Sequence, residues 1–136
     1  MYPAELVKPM REDLTRAGFS ELHTANEVDE LMKKGGTTLV VVNSVCGCAA
    51  ANARPGANMS LQNSKKPDNL VTVFAGVDKE AVEAARAHMV PFPPSSPAMA
   101  LFKDGELVHM LERHHIEGRP AEAIAENLKN AYNEYC

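Results

Sequence analysis

The chain has 136 residues, 45% hydrophobic and 24% charged, a composition ordinary for one soluble domain spanning residues 1–136. A net charge of −4 without a basic cluster argues against nucleic acid as the main partner. The apolar runs are too short to span a bilayer, and the first residues lack the features of a signal peptide. We therefore expect a cytoplasmic protein with no membrane partner, in which closely spaced cysteines serve catalysis or metal binding more often than structure.

Two helices are predicted before the first long strand. The apolar side chains of residues 4–17 recur at helical spacing, at Leu6, Val7, Met10 and Leu14. After a short apolar segment at 19–23, Thr24 and Glu27 form a capping box that begins a second helix. This helix ends at Gly35-Gly36.

The middle of the chain is predicted to form a strand, a helix, a strand and a helix. Residues 37–45 are β-branched and apolar at their centre, which is typical of a strand covered on both faces. A helix follows from about Cys46 to Asn63, and Pro55-Gly56 should kink it because proline lacks an N–H and clashes with the preceding turn. Residues 69–75 form the next strand, and Asp78 caps the helix after it. The inward side chains of that helix are Val82, Ala85 and Met89.

The last third of the chain predicts a hairpin and a final helix. The proline-rich segment 91–97 excludes a helix or a central strand. Residues 98–111 form a hairpin that turns at Lys103-Asp104-Gly105. A loop at 112–119 leads to Pro120 at the first position of the final helix. One face of that helix carries Ile124, Leu128, Ala131 and Tyr135.

The order of elements predicts the fold class. Strands separated by helices require a parallel sheet with right-handed crossovers, and the hairpin adds an antiparallel edge. With no Trp in the chain, the core must be built from Val, Leu, Ala and Met. We predict an α/β three-layer sandwich, with a mixed central sheet flanked by helices and an extra N-terminal helix.

Cys46 and Cys48 follow the predicted strand directly and open the Ala-rich helix. The free N–H groups and the positive dipole at a helix N-terminus both stabilise a thiolate. Positions i and i+2 of a helix point about 200° apart, so a disulfide between them requires Cys46 to lie outside the helix as its cap. Gly47 would supply the backbone freedom that closure needs. The small ring should be strained, which makes its disulfide more reducible.

These positions suggest unequal roles for the two thiols. Cys46, at the cap, should be the more exposed and is the candidate nucleophile. Cys48, in the first turn, should be sheltered and is the candidate resolving thiol, which attacks a mixed disulfide formed at Cys46. The alternative is that both are small core residues, since cysteine is among the most buried residue types.

Pro97 opens a strand after Ser95-Ser96 and allows two interpretations. It can be an ordinary edge-strand proline, the commoner case, since only about 5% of X–Pro bonds in folded proteins are cis. Alternatively, a cis Ser96–Pro97 bond lays backbone groups beside the thiols, and Ser96 and Pro97 then bind a substrate segment. The pattern alone leaves both interpretations open.

The succession of a strand, a dithiol, a kinked helix, a proline before a hairpin and a final helix resembles the thioredoxin fold. Several blocks of sequence resemble more closely the bacilliredoxin family: 42–50 around the dithiol, Arg54-Pro55, 72–76, Ser95-Ser96-Pro97 and 113–118, with a C-terminal Cys136. In this resemblance, Pro97 matches the family's cis-proline position.

The resemblance implies a thiol-disulfide oxidoreductase or isomerase that removes bacillithiol from mixed disulfides on client proteins. Cys46 would attack and carry this low-molecular-weight thiol, which acts as a co-substrate, and Cys48 would resolve. No tightly bound cofactor is implied. Unlike thioredoxins, the strand at 39–42 carries no buried carboxylate to accept a proton from the second thiol, so we expect a less assisted resolving step.

A soft-metal-binding or metallochaperone module is the leading alternative, because a dithiol near the surface suits Cu(I). The dithiol with its potential histidine partners matches no standard zinc pattern, so no metal site is predicted. These partners are His109, His114 and His115, which we expect to be solvated or capping. Arg113 and His114 in the same loop could instead bind the anionic groups of a thiol cofactor, although a charged loop is usually solvated. Cys136 should be an exposed tail thiol, although a mobile terminus would let it pair with another chain or reach the dithiol.

Overall fold

Helices and strands alternate along the chain up to a final hairpin and helix. The structure, a computed structural model, describes residues 2–136. The helices are α1 (Ala4–Thr15), α2 (Ala25–Lys33), α3 (Arg54–Ser60), α4 (Lys79–Ala87), α5 (Arg113–Ile116) and α6 (Ala121–Tyr135). The strands are β1 (Ser20–Glu21), β2 (Thr37–Asn43), β3 (Asn69–Phe74), β4 (Ala98–Lys103) and β5 (Glu106–Leu111), and a π-helical segment, Ala49–Ala53, runs directly into α3. Within residues 2–136, no helix has the length and apolar content required to cross a membrane.

Strand β2 lies at the centre of a mixed sheet with the order β1-β3-β2-β4-β5. It is parallel to β3, with Val40 opposite Val71, and antiparallel to β4, with Val40 opposite Ala100. Strand β1 runs parallel to β3, and β5 antiparallel to β4. All seven residues of β2 are buried, which confirms the prediction of a strand covered on both faces.

Alternate residues of β2 enter two separate hydrophobic cores. Leu39 and Val41 pack with side chains of α1, α3 and α6. Val40 and Val42 pack on the other face, with side chains of α2 and α4. Because side chains alternate across a strand, each face of the sheet acquires its own helical layer, and each buried Val or Leu contributes about 1.5–3 kcal/mol. The predicted three-layer sandwich with an N-terminal helix is confirmed.

The helix after the dithiol differs from the prediction of a kink at Pro55. The irregular segment lies earlier, as the π-helical turn Ala49–Ala53, and Pro55 lies in the first turn of α3. Proline cannot donate to the carbonyl four residues before it, and its ring clashes with that carbonyl in an α-helix. A wider π turn moves this carbonyl away, so the strain from Pro55 is relieved in the turn that precedes it.

Several element boundaries and one predicted loop also differ from the predictions. Strand β2 ends at Asn43, because the Asn43 Oδ1 accepts a hydrogen bond from the Ser44 N–H (2.9 Å) and turns the chain out of the sheet. The predicted loop at 112–119 contains the short helix α5. Pro120 is the N-cap residue of α6 and has an extended backbone, so the helix begins one residue later than predicted.

Two polar side chains have roles that the pattern did not predict. Asp78 is the N-cap residue of α4, but its carboxylate accepts hydrogen bonds from Arg11 and His23 instead of a helix N–H. Tyr132 is fully buried, and its hydroxyl lies 2.8 Å from the Ser60 Oγ. The predicted inward residue Tyr135 is only half-buried beside it.

Candidate active site

The loop that leaves β2 holds Cys46 in a fixed position. Ser44 is buried, and its Oγ accepts a hydrogen bond from the Cys46 N–H (2.9 Å). The Cys46 carbonyl in turn accepts hydrogen bonds from Ala49 (2.9 Å) and Ala50 (3.3 Å), the first bonds of the helix. Cys46 therefore lies outside the helix as its cap, in the position that closure of a Cys46–Cys48 disulfide was predicted to require.

The Cys46 sulfur itself takes part in this cap. The Cys48 N–H donates to the Cys46 Sγ over 3.4 Å, so one of the free helix N–H groups points at the thiol. Both cysteines are free, that is, in the reduced form. Cys46 is partly buried, whereas Cys48 is only 9% exposed, so the two thiols differ in exposure in the predicted order.

These surroundings shift the pKa values of the two thiols in opposite directions. Interaction with the Cys48 thiol and with the Cys48 N–H lowers the pKa of Cys46, and the positive charge of Arg113 lowers it further. Burial raises the pKa of Cys48, and the negative charge of a Cys46 thiolate raises it again. When one proton is lost from the pair, the thiolate is therefore at Cys46.

Gly47 faces solvent between the two cysteines. A Cβ added at Gly47 would meet no atom within 4 Å, and the residue lacks the left-handed backbone seen at other glycines of the chain. The reduced protein therefore does not need a glycine here. Any need for one belongs to the closed disulfide.

Arg113, on α5, reaches the nucleophile from a distant part of the chain. Its Nη2 lies 3.3 Å from the Cys46 Sγ, and its Nη1 donates to the Ser96 carbonyl (3.4 Å). Glu117 holds the guanidinium through two hydrogen bonds of 3.0 and 3.2 Å. The side chain is half exposed, but it is not merely solvated as predicted, because it joins Cys46 to the loop before β4.

The Ser96–Pro97 peptide is cis, as the resemblance implied, and so is Val90–Pro91. Pro97 is buried directly before β4, while Ser96 is partly exposed. Through Arg113, the Ser96 carbonyl is linked to the Cys46 thiol. The two predicted substrate-binding residues thus lie in a segment that contacts the same side chain as the candidate nucleophile.

Arg54 lies buried beneath this loop, and its role there is not evident from the sequence pattern. Its Nη1 donates to the Asn43 Oδ1 and to the Ser44 carbonyl, both at 3.0 Å. Its Nε pairs with Asp13 at 3.0 Å. One signal was available: Arg54 is the only charged residue between 44 and 64, and it lies within a predicted helix. Such a residue in a buried helix must find polar partners.

The structure does not bring the histidines to the dithiol. His109 lies 2.6 Å from the Asn127 Oδ1, and His114 and His115 group with Glu112 instead. The acidic residue beside the thiols is Glu117, whose carboxylate lies within 4.8 Å of both sulfurs. Strand β2 carries no carboxylate, and Glu117, the residue after α5, supplies one beside the thiols.

Cys136 lies far from the dithiol. Its backbone N–H donates to the Tyr132 carbonyl (2.8 Å), so the end of the chain continues the contacts of α6. The thiol lies near Thr37 and Asp68, at the start of β2, whereas the dithiol follows the end of that strand. Contact between Cys136 and Cys46 within one chain is therefore not supported.

Comparisons with known proteins agree with this geometry. The chain matches the family described as "Disulphide isomerase" over residues 2–136. It is 61% identical over 134 residues to a bacilliredoxin of Cytophaga hutchinsonii, and the matched residues cover 98% of this chain and 99% of that protein. It is 56% identical over 136 residues to a bacilliredoxin of Halalkalibacterium halodurans, which covers 99% and 94%, respectively.

A solved structure supports the fold independently of sequence. A mutant thioredoxin from Halobacterium salinarum superposes with a TM-score of 0.60 at 18% identity, over 88% of this chain and 91% of that one. This likeness shows the thioredoxin fold, with the mixed sheet and flanking helices described above. With the full-length sequence matches, it shows that the chain belongs to the bacilliredoxin family, thiol redox proteins built on the thioredoxin fold.

Proposed function

We propose that the protein removes bacillithiol from mixed disulfides on client proteins by thiol-disulfide exchange at Cys46 and Cys48. The bacilliredoxin relatives support the identity of the small thiol. The observation that carries the assignment of roles is the asymmetry of the pair. Cys46 caps a helix 3.3 Å from the Arg113 guanidinium, while Cys48 is 9% exposed in the first turn.

The first step is attack by the Cys46 thiolate on the bacillithiol sulfur of the mixed disulfide. A disulfide forms between Cys46 and bacillithiol, the original disulfide bond breaks, and the client leaves as a thiolate. The helix N-terminus and Arg113 stabilise the attacking thiolate, which raises its population near neutral pH. No oxidant or reductant is consumed in this step.

In the second step, the Cys48 thiolate attacks Cys46, bacillithiol leaves as a thiolate, and a Cys46–Cys48 disulfide forms. The raised pKa of Cys48 makes its deprotonation the harder part of this step. Glu117, whose carboxylate lies within 4.8 Å of both sulfurs, would accept the proton through one bridging water. Two further low-molecular-weight thiols then reduce the disulfide: the first forms a mixed disulfide at Cys46 and frees Cys48, and the second releases Cys46 and leaves as the disulfide of the small thiol.

Gly47, Ser96 and Pro97 complete the proposed site. Gly47 allows the backbone to adopt the angles of the closed ring. Ser96 and Pro97 bind an extended segment of the client beside the thiols. The contact of Arg113 with both the Ser96 carbonyl and the Cys46 Sγ supports this placement.

Trapping of the intermediate tests this mechanism. Reduced Cys46→Ala and Cys48→Ala variants are mixed with a bacillithiol-modified client, and adducts are identified by mass spectrometry. We expect Cys48→Ala to accumulate bacillithiol on Cys46, and Cys46→Ala to leave the client unchanged. Accumulation only in Cys46→Ala would reverse the roles, and no adduct in either variant would contradict the removal of bacillithiol.

The same dithiol would also support isomerisation of client disulfides, in line with the description of the matching family. Here Cys46 attacks a client disulfide, forms a mixed disulfide with one client cysteine and releases the other as a thiolate. A different client thiolate then attacks the mixed disulfide, which forms a new client disulfide and regenerates the Cys46 thiolate. Recovery of activity by a scrambled disulfide protein measures this step. Under this proposal, Cys48→Ala retains part of the isomerisation while Cys46→Ala loses it.

One observation favours a second candidate function, the binding of a soft metal ion. Cys46, Cys48 and Glu117 present two sulfurs and a carboxylate oxygen within 4.8 Å of one another. Two thiolates suit Cu(I). Metal analysis of the reduced protein distinguishes the candidates: a metallochaperone retains a stoichiometric ion that Cys48→Ala loses, and an oxidoreductase does not.

A further inference from the structure

An open pocket of about 320 Å³ lies beside the dithiol. Ser44 and Val45, the two residues before Cys46, form one wall, and Ser96 forms another. Tyr2 lines the outer side, with its ring packed over Gly76, where a Cβ would approach to 2.9 Å. The pocket therefore begins one residue from the candidate nucleophile and ends at the cis-proline loop.

Arg86, near the end of α4, lines the same pocket and has no acidic partner. Within residues 2–136, no carboxylate lies within 4.0 Å of its guanidinium. Its Nη2 makes one long hydrogen bond, to the Ser95 carbonyl (3.4 Å), and its Nε is buried without a partner. Burial lowers the pKa of Arg86, in keeping with a desolvated and unneutralised cation.

A cation in this position favours the entry of an anion. A partly buried charge without a counter-ion lowers the stability of the protein, and a bound anion removes part of that cost. The guanidinium has a planar, forked geometry that matches a carboxylate. The pocket is at the small end of the range for ligand sites, which suits a fragment of a small molecule and not a protein segment.

We propose that this pocket binds a carboxylate of the low-molecular-weight thiol, with Arg86 as the anion-binding residue, while the sulfur of that thiol reacts at Cys46. The inference rests on the proposed function and adds a subsite to it. Its consequence is the choice between the two sulfurs of a mixed disulfide. With the carboxylate held at Arg86, the sulfur of the small thiol lies next to Cys46, so the new bond forms to it and the client thiolate is the leaving group.

Two matched adducts test the subsite. A peptide with one cysteine is joined through a disulfide either to mercaptosuccinate, which carries carboxylates, or to 2-mercaptoethanol, which carries none. The full-length Cys48→Ala protein is mixed with each, and transfer of the small thiol to Cys46 is followed by mass spectrometry. We expect faster transfer of mercaptosuccinate by about tenfold, the effect of one charge-assisted contact.

Variants at Arg86 test whether this residue causes the preference for mercaptosuccinate. Arg86→Met should abolish it by slowing the transfer of mercaptosuccinate alone, and Arg86→Lys should restore part of it. Arg16→Met, which removes an exposed arginine at the C-cap of α1, serves as the charge-matched control and should keep the full preference.

The outcomes separate the subsite from the function. Equal transfer of both adducts by the protein with Arg86 intact would overturn the subsite, as would an Arg86→Met variant that slows both adducts equally, because Arg86 would then act only by holding Ser95. A failure of transfer from both adducts would overturn the proposed function itself. If Arg86→Met does not fold, the subsite is still tested by two measurements. These are the preference of the unmodified chain for the mercaptosuccinate adduct and the weaker preference expected of Arg86→Lys.

Discussion

Although only one residue separates Cys46 from Cys48, the pKa of Cys46 is lowered whereas that of Cys48 is raised. The interactions that lower the pKa of Cys46 come from the Cys48 thiol and N–H, and from Arg113. The first two are local and follow from the capping position. The third comes from Arg113, 67 residues after Cys46, and this side chain can be replaced without changing the capping segment.

Replacing Arg113 by Gln tests the long-range contribution. A thiolate is the charged form of cysteine, so the loss of a cation 3.3 Å away destabilises it and raises the pKa of Cys46. We expect the alkylation rate of Cys46, plotted against pH, to move to higher pH. Measured with iodoacetamide on the Cys48→Ala background, an unchanged profile would mean that the contact is electrostatically unimportant. Arg119→Gln, an exposed arginine of the following loop, is the control.

Replacing Gly47 by Ala should affect the oxidised form of the protein and leave the reduced form intact. Because an added Cβ meets no atom within 4 Å and no left-handed backbone is present, the reduced protein should fold normally. Its stability should be unchanged or higher by up to about 1 kcal/mol, since alanine restricts the unfolded chain. Closure of the Cys46–Cys48 disulfide should be slower. Thermal unfolding of the reduced form and the rate of disulfide formation measure the two effects; closure as fast as with glycine would remove Gly47 from the mechanism.

At the scale of elements, Arg54 ties three of them together behind the dithiol. From the start of α3 it reaches Asp13 in α1 and Asn43 at the end of β2. Its bond to the Ser44 carbonyl fixes the residue whose hydroxyl holds the Cys46 N–H. The position of the nucleophile therefore depends on a buried cation and not on the dithiol segment alone.

Replacing Arg54 by Met should lower both stability and thiol reactivity. The substitution leaves the Ser44 carbonyl without its Arg54 donor and removes one of the two donors to the Asn43 Oδ1. This loss should reduce the free energy of unfolding by about 2 kcal/mol in denaturant titrations. With the loop less fixed, the pH profile of Cys46 alkylation should move toward that of an ordinary thiol. Arg54→Lys should recover the charge but only part of the geometry. A variant that loses stability but keeps the Cys46 profile would limit Arg54 to a structural role.

Most elements were predictable because their signals are local. The capping box of Thr24 and Glu27 is present as expected, and the apolar run of β2 correctly indicated a strand covered on both faces. The π-helical turn before α3 was not predictable. Proline strain can be relieved by a kink or by a wider turn, and the choice depends on how the helix packs on its neighbours, which no local pattern encodes.

For the whole molecule, the limits of prediction follow from sequence separation. The dithiol and its cap lie within a few residues of each other, so the position of Cys46 could be derived from helix geometry. Arg113 and Arg86 reach the site from α5 and α4, and only the folded topology brings them there. Arg113 lies in a predicted loop and Arg86 in a predicted helix, and charged side chains in such segments are usually solvated. The local pattern therefore gave no signal of their contacts, and for that reason Arg113 was expected to be solvated.

The third cysteine tests the overall arrangement. Cys136 lies beside Thr37, and β2 then runs seven residues, about 20 Å at 3.3 Å per residue, before the dithiol loop begins. A disulfide requires Cα atoms within about 7 Å, so Cys136 cannot bond to Cys46 of the same chain while α6 stays folded. Cys136→Ser should leave the rate of Cys46–Cys48 closure unchanged.

The separation of Cys136 from Cys46 along β2 also predicts which disulfides Cys136 forms on oxidation. On the Cys48→Ala background, Cys46 and Cys136 are the remaining thiols, and oxidation should join different chains or add small thiols, without an internal Cys46–Cys136 bond. Peptide mapping of the monomer after oxidation measures this. An internal bond in the monomer would show that the end of α6 unfolds readily, because the sheet itself keeps the two sulfurs at opposite ends of β2.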